Sequence, residues 1–533
     1  MQEKLSFYVK QLQKIIFIYD GKTIQDKIKI LKAIAAVKWR TAEDLQAYVE
    51  LLLFIISHPE NKEIVALVVA EFERITAFFS TAKNQADNHY VDLGFPFTNM
   101  CTQFSHDILH WMNQQPFCKL SVDSFDETGV ELNLLLRTTL LAVEREETTA
   151  GLANKELLKA LKIKPENEFT FLLNEFSKLN AAPYAKDFLW DALKVWVTIK
   201  STDKKYSRIY NQIPINKIYY QSELIKKFDS EKLINTLLPT AKKLSTAKQK
   251  QLASVIKNSL TLTMRETDPS TAMNEKSLLF YELERGVSIA LYGMEADRQL
   301  PLQSYIGYTL FKNGYPTAYG GSWIFGTAAR FGLNIFEAFR GGESGYTMCQ
   351  LLRVYKQVFG LETIEVDAYM FGKNNPDGIS SGAFWFYYRY GFRLIDKKLQ
   401  ALAEKELQKI KATAGYRTSP KTLLQFTDSN IELSFGKAQA ISRTAVLEKI
   451  AKMIASEFNG DRLLAEKKCI TIFLQKSKTT FSPEQQFALS ECALLAKAMQ
   501  WHSTEKTKLL TTLIQTKYSD AVQYNAVLKQ LLK

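Results

Sequence analysis

Arg340-Gly341-Gly342-Glu343-Ser344-Gly345 leads into an apolar-periodic stretch over 344–358, a β-rich stretch over 363–371, and then Ala383-Phe384-Trp385-Phe386-Tyr387-Tyr388-Arg389-Tyr390-Gly391-Phe392. The first block reads as a glycine turn that opens a helix. Backbone N–H groups in such a turn lack intrahelical partners and sit at the positive helix end, which suits a phosphate. The last block reads as a short helix, expected over 380–390, that brings a tyrosine hydroxyl to the same crevice. Strand, turn, helix, strand, helix in this order is a small α/β unit. Its ligand is expected beyond the carboxyl end of the first strand.

The unit extends upstream. Residues 286–293 are strand-like, and 304–311 and 315–319 flank Lys312-Asn313-Gly314. Asn-Gly supplies the two positive φ angles of a tight hairpin. Residues 320–325 continue the second arm past an expected bulge. Residues 332–339 form a further strand that runs into the Arg340 turn and carries Glu337. A last short strand follows at 391–395, and 422–427 with 431–435 are expected to add strand material.

Over residues 285–395, under a quarter of the chain, this pattern resembles the GNAT superfamily of CoA-dependent acyltransferases. Two elements carry the resemblance. One is an Arg/Gln-x-x-Gly-x-Gly/Ala turn, met by Arg340 and Gly345. The other is Ala-x-x-hydrophobic-Tyr-x-x-x-Gly-Phe, matched at every spacing by Ala383, Phe386, Tyr387, Gly391 and Phe392. Glu343 stands where the first glycine of the turn belongs, and Asn375 is joined to Ala383 by a longer loop than the usual Asn-x-x-Ala link. The resemblance implies that Arg340, Gly341, Gly342, Ser344, Gly345 and Asn375 hold an acyl-CoA donor, acetyl-CoA first among them, with no metal. It implies Tyr387 as the general acid that protonates the leaving thiolate. Glu337 is the candidate base. Against this stand plainer readings of the same residues: an aromatic stripe as core, a surface carboxylate, and a structural turn.

Around this unit the sequence reads as helical. The expected architecture is α+β and multidomain. An all-helical domain spans 1–270, a GNAT-like mixed α/β domain 271–437, and a mostly helical domain 438–533. Apolar residues at spacings of three and four mark helices over 27–37, 42–57, 61–81 and 155–161. Five scattered cysteines without a CxxC pair point to a reducing compartment. Neither a leader pattern at Met1 nor a span of membrane length is visible, so a cytoplasmic location is expected. The net charge of +13 is uneven: after Gly391 there are 23 Lys and Arg against 13 Asp and Glu, a surplus of 10. A basic C-terminal third suits an anionic partner, or is simply a solvated lysine-rich surface.

Two other features stand out. His89, Cys101, His106, His110 and Cys118 fall within thirty residues, and His106-Asp107 with His110 has the i, i+4 spacing of a zinc helix. No third ligand follows at a familiar spacing, so no metal is expected there. Lys467, Lys468, Lys476 and Lys478 surround a strand-like apolar run at 469–474. The acceptor is unread, with protein, peptide or RNA all compatible. Two further readings stay open: a GNAT-like scaffold without donor binding that recognises a protein or nucleic acid, and a transferase that takes its donor from aminoacyl-tRNA.

Overall fold

The computed structural model of the chain describes residues 5–39, 41–85, 87–437 and 441–533. They form two compact units. The first comprises the described part of Met1–Leu224 with Lys250–Ala272 and Lys312–Pro316; the second comprises Ile225–Gln249, Met273–Phe311 and the described part of Thr317–Lys533. The fold class is α+β, with two separate sheets. No helix among the described residues is long and apolar enough to cross a membrane.

The first unit begins with helices Leu5–Ile15, Gly21–Ile34, Ala42–Ser57 and Lys62–Phe79. Asp20, Thr41 and Asn61 cap the last three with side-chain oxygens that accept from N–H groups of the first turn. Lys27 is buried with Glu60 at 2.5 Å and also donates to the Ile16 and Ile18 carbonyls. The expectation of an all-helical 1–270 is corrected here. Strands β1 (Asn99–Thr102), β2 (Cys118–Phe125) and β3 (Val195–Ser201) form an antiparallel sheet in the order β1-β3-β2. Val195, Val197 and Ile199 alternate inward with β-branched bulk, a period-two pattern that is easily lost beside longer helices.

In the second unit eight strands make one mixed sheet. They are β4 (Leu279–Glu282), β5 (Val287–Tyr292), β6 (Ser304–Lys312), β7 (Tyr315–Phe325), β8 (Ala328–Ile335), β9 (Thr363–Val366), β10 (Arg393–Leu394) and β11 (Ile431–Ser434). Their spatial order is β10-β11-β9-β8-β7-β6-β5-β4. The β8–β9 pair is parallel, while β11 enters antiparallel between β9 and β10. The tight turn after β6 falls at Asn313 and Gly314, with φ of 45° and 84°. Helix Ser344–Phe359 crosses from β8 to β9 and buries Met348, Leu351, Leu352, Val354 and Tyr355 completely. Each side chain of that size removed from water contributes about 2 kcal/mol.

Several local expectations change. Residues 422–427 are not strand, because Ser419 caps and Pro420 starts the helix Pro420–Phe426. The strand expected over 363–371 stops at Val366, where Asp367 caps a 3-10 turn, Ala368–Phe371. The run at 469–474 lies inside helix Arg462–Ser477, capped by Asp461. Residues 438–440, at the expected boundary of a third domain, lie outside the described residues; the helices from Arg443 onward belong to the second unit.

These C-terminal helices grip the segment before β6 through buried polar groups. Lys517 is 2% exposed and donates to Leu300 and Gln303 carbonyls at 2.8 and 3.0 Å. Tyr524 donates to the Leu302 carbonyl, and Glu491 accepts from the Leu302 N–H. Burial pushes the Lys517 amine down to about 8 against the pull of Glu491. Below that pH the amine is charged folded and unfolded alike, and between there and its ordinary 10.5 the unfolded chain binds more protons. Stability of the parent relative to Lys517→Met is therefore expected to rise by roughly 2–3 kcal/mol from pH 8 to 10.5. Urea unfolding of both chains across that range checks it; parallel curves contradict it.

Candidate functional site

The site is built where β8 and β9 part. Their parallel pairing runs from Ala328↔Thr363 to Phe331↔Val366. Beyond it β8 continues to Ile335 against β7 alone, while the chain after Val366 turns away into the 3-10 turn. Gly332 is the first residue of β8 without a partner on β9. Its carbonyl accepts from the Tyr308 hydroxyl at 2.9 Å, and a Cβ placed on it would meet no atom closer than 3.9 Å.

The glycine turn follows β8. Residues 337–339 form a single 3-10 turn, so Glu337 is not on a strand as expected. Phe336 hands its N–H to Thr317, and Arg340 hands its own to Glu337, which closes the turn. Gly341 then takes φ 79°, a left-handed conformation that costs a side-chain-bearing residue about 1 kcal/mol or more. Helix Ser344–Phe359 starts immediately after. The N–H groups of Gly341, Gly342, Ser344, Gly345 and Tyr346 donate to no protein group among the described residues. Free N–H groups at a helix start suit an anion.

Glu343 sits in the middle of that turn, yet its carboxylate does not cap the helix. It is buried, accepts from the Ile225 N–H at 2.9 Å, and pairs with Arg285 at 3.1 Å. Arg285 is itself held in a left-handed conformation, φ 62°. The carboxylate is therefore tied away from the free N–H groups and its charge is compensated by its own partner.

The remaining expected residues divide. Arg340 is 61% exposed and joins Glu337 at 3.3 Å while donating to the Ile335 carbonyl. These two are brought together at the rim. Asn375 donates to the Tyr369 carbonyl and leads into a short helix, Pro376–Ser380, within the long loop before Ala383. Tyr387 lies on helix Ala383–Arg389, packed edge-on to Phe392 with ring centroids 5.5 Å apart. It is buried, and its hydroxyl makes no hydrogen bond among the described residues; burial alone raises its pKa far above the ordinary phenol range. Tyr387 and Tyr308 belong to the same buried core of the second unit.

Three contributors escaped sequence reasoning: Tyr308, Tyr390 and Arg285. Tyr390 lies one helical turn beyond Tyr387 and presses on the glycine turn. A Cβ at Gly345 would overlap its hydroxyl, which gives this glycine a packing reason independent of any ligand. Tyr390 stacks in turn on Phe228 at 5.8 Å. Its i+3 spacing from Tyr387 was visible; nothing in the sequence ties Tyr308 or Arg285 to the turn.

The histidine and cysteine cluster is dispersed into local contacts. His89 pairs with Asp87, His106 with Asp107 and His110 with Gln114, while Cys118 donates to the Met112 carbonyl. Among the described residues no group of three or more His, Cys, Asp or Glu is placed to hold a metal ion. Lys467, Lys468, Lys476 and Lys478 are exposed, on or just past helix Arg462–Ser477. Comparisons with protein-family models, with curated proteins and with solved structures found no match to this chain.

Proposed function

We propose that the chain is a GNAT-like N-acyltransferase, moving an acyl group from a CoA thioester, acetyl-CoA first among them, to an amine or hydroxyl acceptor. One observation carries the reading: a helix opens on five unpartnered N–H groups just past the point where two parallel strands diverge. A pyrophosphate suits such a turn, and the thioester would reach back towards the opening at Gly332. The acceptor nitrogen attacks the thioester carbonyl, the new C–N bond forms and the C–S bond breaks. Tyr387 gives its proton to the departing sulfur and is reprotonated from solvent. A phenol kept neutral by burial is suited to that task across ordinary pH. Glu337, with Arg340 beside it, takes the proton lost by the acceptor, directly or through water. Arg340, Gly341, Gly342, Ser344, Gly345 and Asn375 make up the proposed donor site.

A second reading, a GNAT-like scaffold without donor binding that recognises a protein or nucleic acid, is favoured by Glu343 standing where the first glycine of the turn belongs. Thermal shift against acyl-CoA thioesters separates the two. The enzyme reading expects saturable stabilisation by acetyl-CoA, about 3 kcal/mol at a hundredfold excess over Kd. RNA binding that weakens steeply with salt, together with indifference to CoA, contradicts it.

A further inference from the structure

Two glycines face each other across β7 and β8, Gly321 and Gly332. The first has a packing reason. A Cβ on Gly321 would overlap the Tyr305 ring, which stacks in turn on Trp323. Gly332 has no such reason. Its φ is not left-handed, and a Cβ on it would meet only the Gly321 carbonyl and the Met370 sulfur, each at 3.9 Å. That is ordinary van der Waals contact, so the fold would accept an alanine there. Glycine inside a strand weakens it, and one cause is the close approach of a ligand or another backbone.

Met370 supplies the one side-chain atom within 4 Å of that Cβ position among the described residues. It is carried by the 3-10 turn Ala368–Phe371, which is capped by Asp367 and anchored by the buried Ala368 and Phe371. Its own side chain is partly buried against the core of the second unit. The sulfur is thus held over the first residue of β8 that has lost its partner on β9. This is the sheet face away from helix Ser344–Phe359, because the preceding Phe331 packs on Tyr355 of that helix and successive strand residues alternate. A donor whose pyrophosphate rests on the start of the helix enters the gap from the helix side. Its acyl end then emerges beside Gly332 on the far face, against Met370.

We propose that Met370 is the acyl-length stop of this site, admitting acetyl and turning away butyryl and longer chains. The proposal rests on the acyl-transfer reading and adds to it a substrate class and the side chain that sets it.

Calorimetric titration of the full chain with coenzyme A, acetyl-CoA, butyryl-CoA and hexanoyl-CoA tests it. The parent is expected to bind butyryl-CoA about tenfold more weakly than acetyl-CoA. Met370→Ala should bring the two within about twofold, and Met370→Leu, of similar volume, should keep the parent's preference. Gly332→Ala should weaken acetyl-CoA about fivefold relative to coenzyme A, with its Tm reporting that it folds. A parent that binds butyryl-CoA as tightly as acetyl-CoA overturns the stop while the donor site stands. So does a folded Met370→Ala that keeps the parent's preference. Should that variant not fold, an unchanged acetyl-CoA to coenzyme A ratio in Gly332→Ala overturns it instead. No binding of any of the four up to about 10 mM removes the donor site itself, and the stop with it.

Discussion

Tyr387→Phe is expected to lower acyl-transfer turnover about 100-fold or more, while coenzyme A affinity stays within about twofold of the parent. The hydroxyl is the only atom removed, and it makes no hydrogen bond among the described residues, so the fold loses nothing that held it. The ring remains packed on Phe392 and Phe386. What disappears is the proton for a poor leaving group at the moment sulfur departs. Because burial holds the phenol neutral well into the alkaline range, the parent's turnover should show no acid-group loss between pH 7 and its alkaline limit. Single-turnover kinetics with both chains provide the check. Equal rates would take Tyr387 out of the chemistry and leave it as core.

The largest stability effect is expected at Arg353. Its side chain is 1% exposed, though it sits in the middle of helix Ser344–Phe359. The guanidinium donates to the Thr236 and Leu237 carbonyls at 2.8 and 2.6 Å and grips both oxygens of Glu284. It also donates to Gln350. Burial pushes the Glu284 carboxyl up, but hydrogen bonds from Arg353, its own backbone and Gln350, together with the Arg353 charge, outweigh it and leave it below the usual carboxylate range. Arg353→Met keeps the apolar stem but removes the donor to the Leu237 carbonyl and the fork on Glu284, while the Thr236 carbonyl keeps Gln357. A loss of about 3 kcal/mol is expected, the low end for a broken buried pair because Glu284 is half exposed and can rehydrate. Arg353→Lys should recover only part of it, since an ammonium cannot reach three groups in a fork. Urea denaturation measures both; a cost below about 1 kcal/mol for Arg353→Met would show that the segment at 236–237 is not held this way.

Much of the eight-stranded sheet and its helices was legible because their signals are local. Asn313-Gly314 announced the hairpin, Arg340 to Gly345 the helix start, and Gly391-Phe392 the last strand. The N-terminal sheet was not legible, since β2 and β3 lie some seventy residues apart in sequence, inside a helical pattern. Glu337 was misplaced because an apolar run through Phe339 reads as strand, whereas the pairing with β7 ends at Ile335. Glu343 shows the limit most clearly. Read alone, a carboxylate in a phosphate turn is repulsive; its partner Arg285 lies 58 residues upstream, and only the folded sheet joins them.

The central claim is that the backbone around residue 343 receives a pyrophosphate. Transverse-relaxation-optimised NMR of the deuterated, ¹⁵N-labelled chain, titrated with coenzyme A, tests it at the atoms concerned. The account predicts saturable shifts at the Gly341, Gly342 and Gly345 amides, with a shared dissociation constant and little change at Gly460 or Gly415. Amides at 341–346 that stay still at saturating coenzyme A would contradict it.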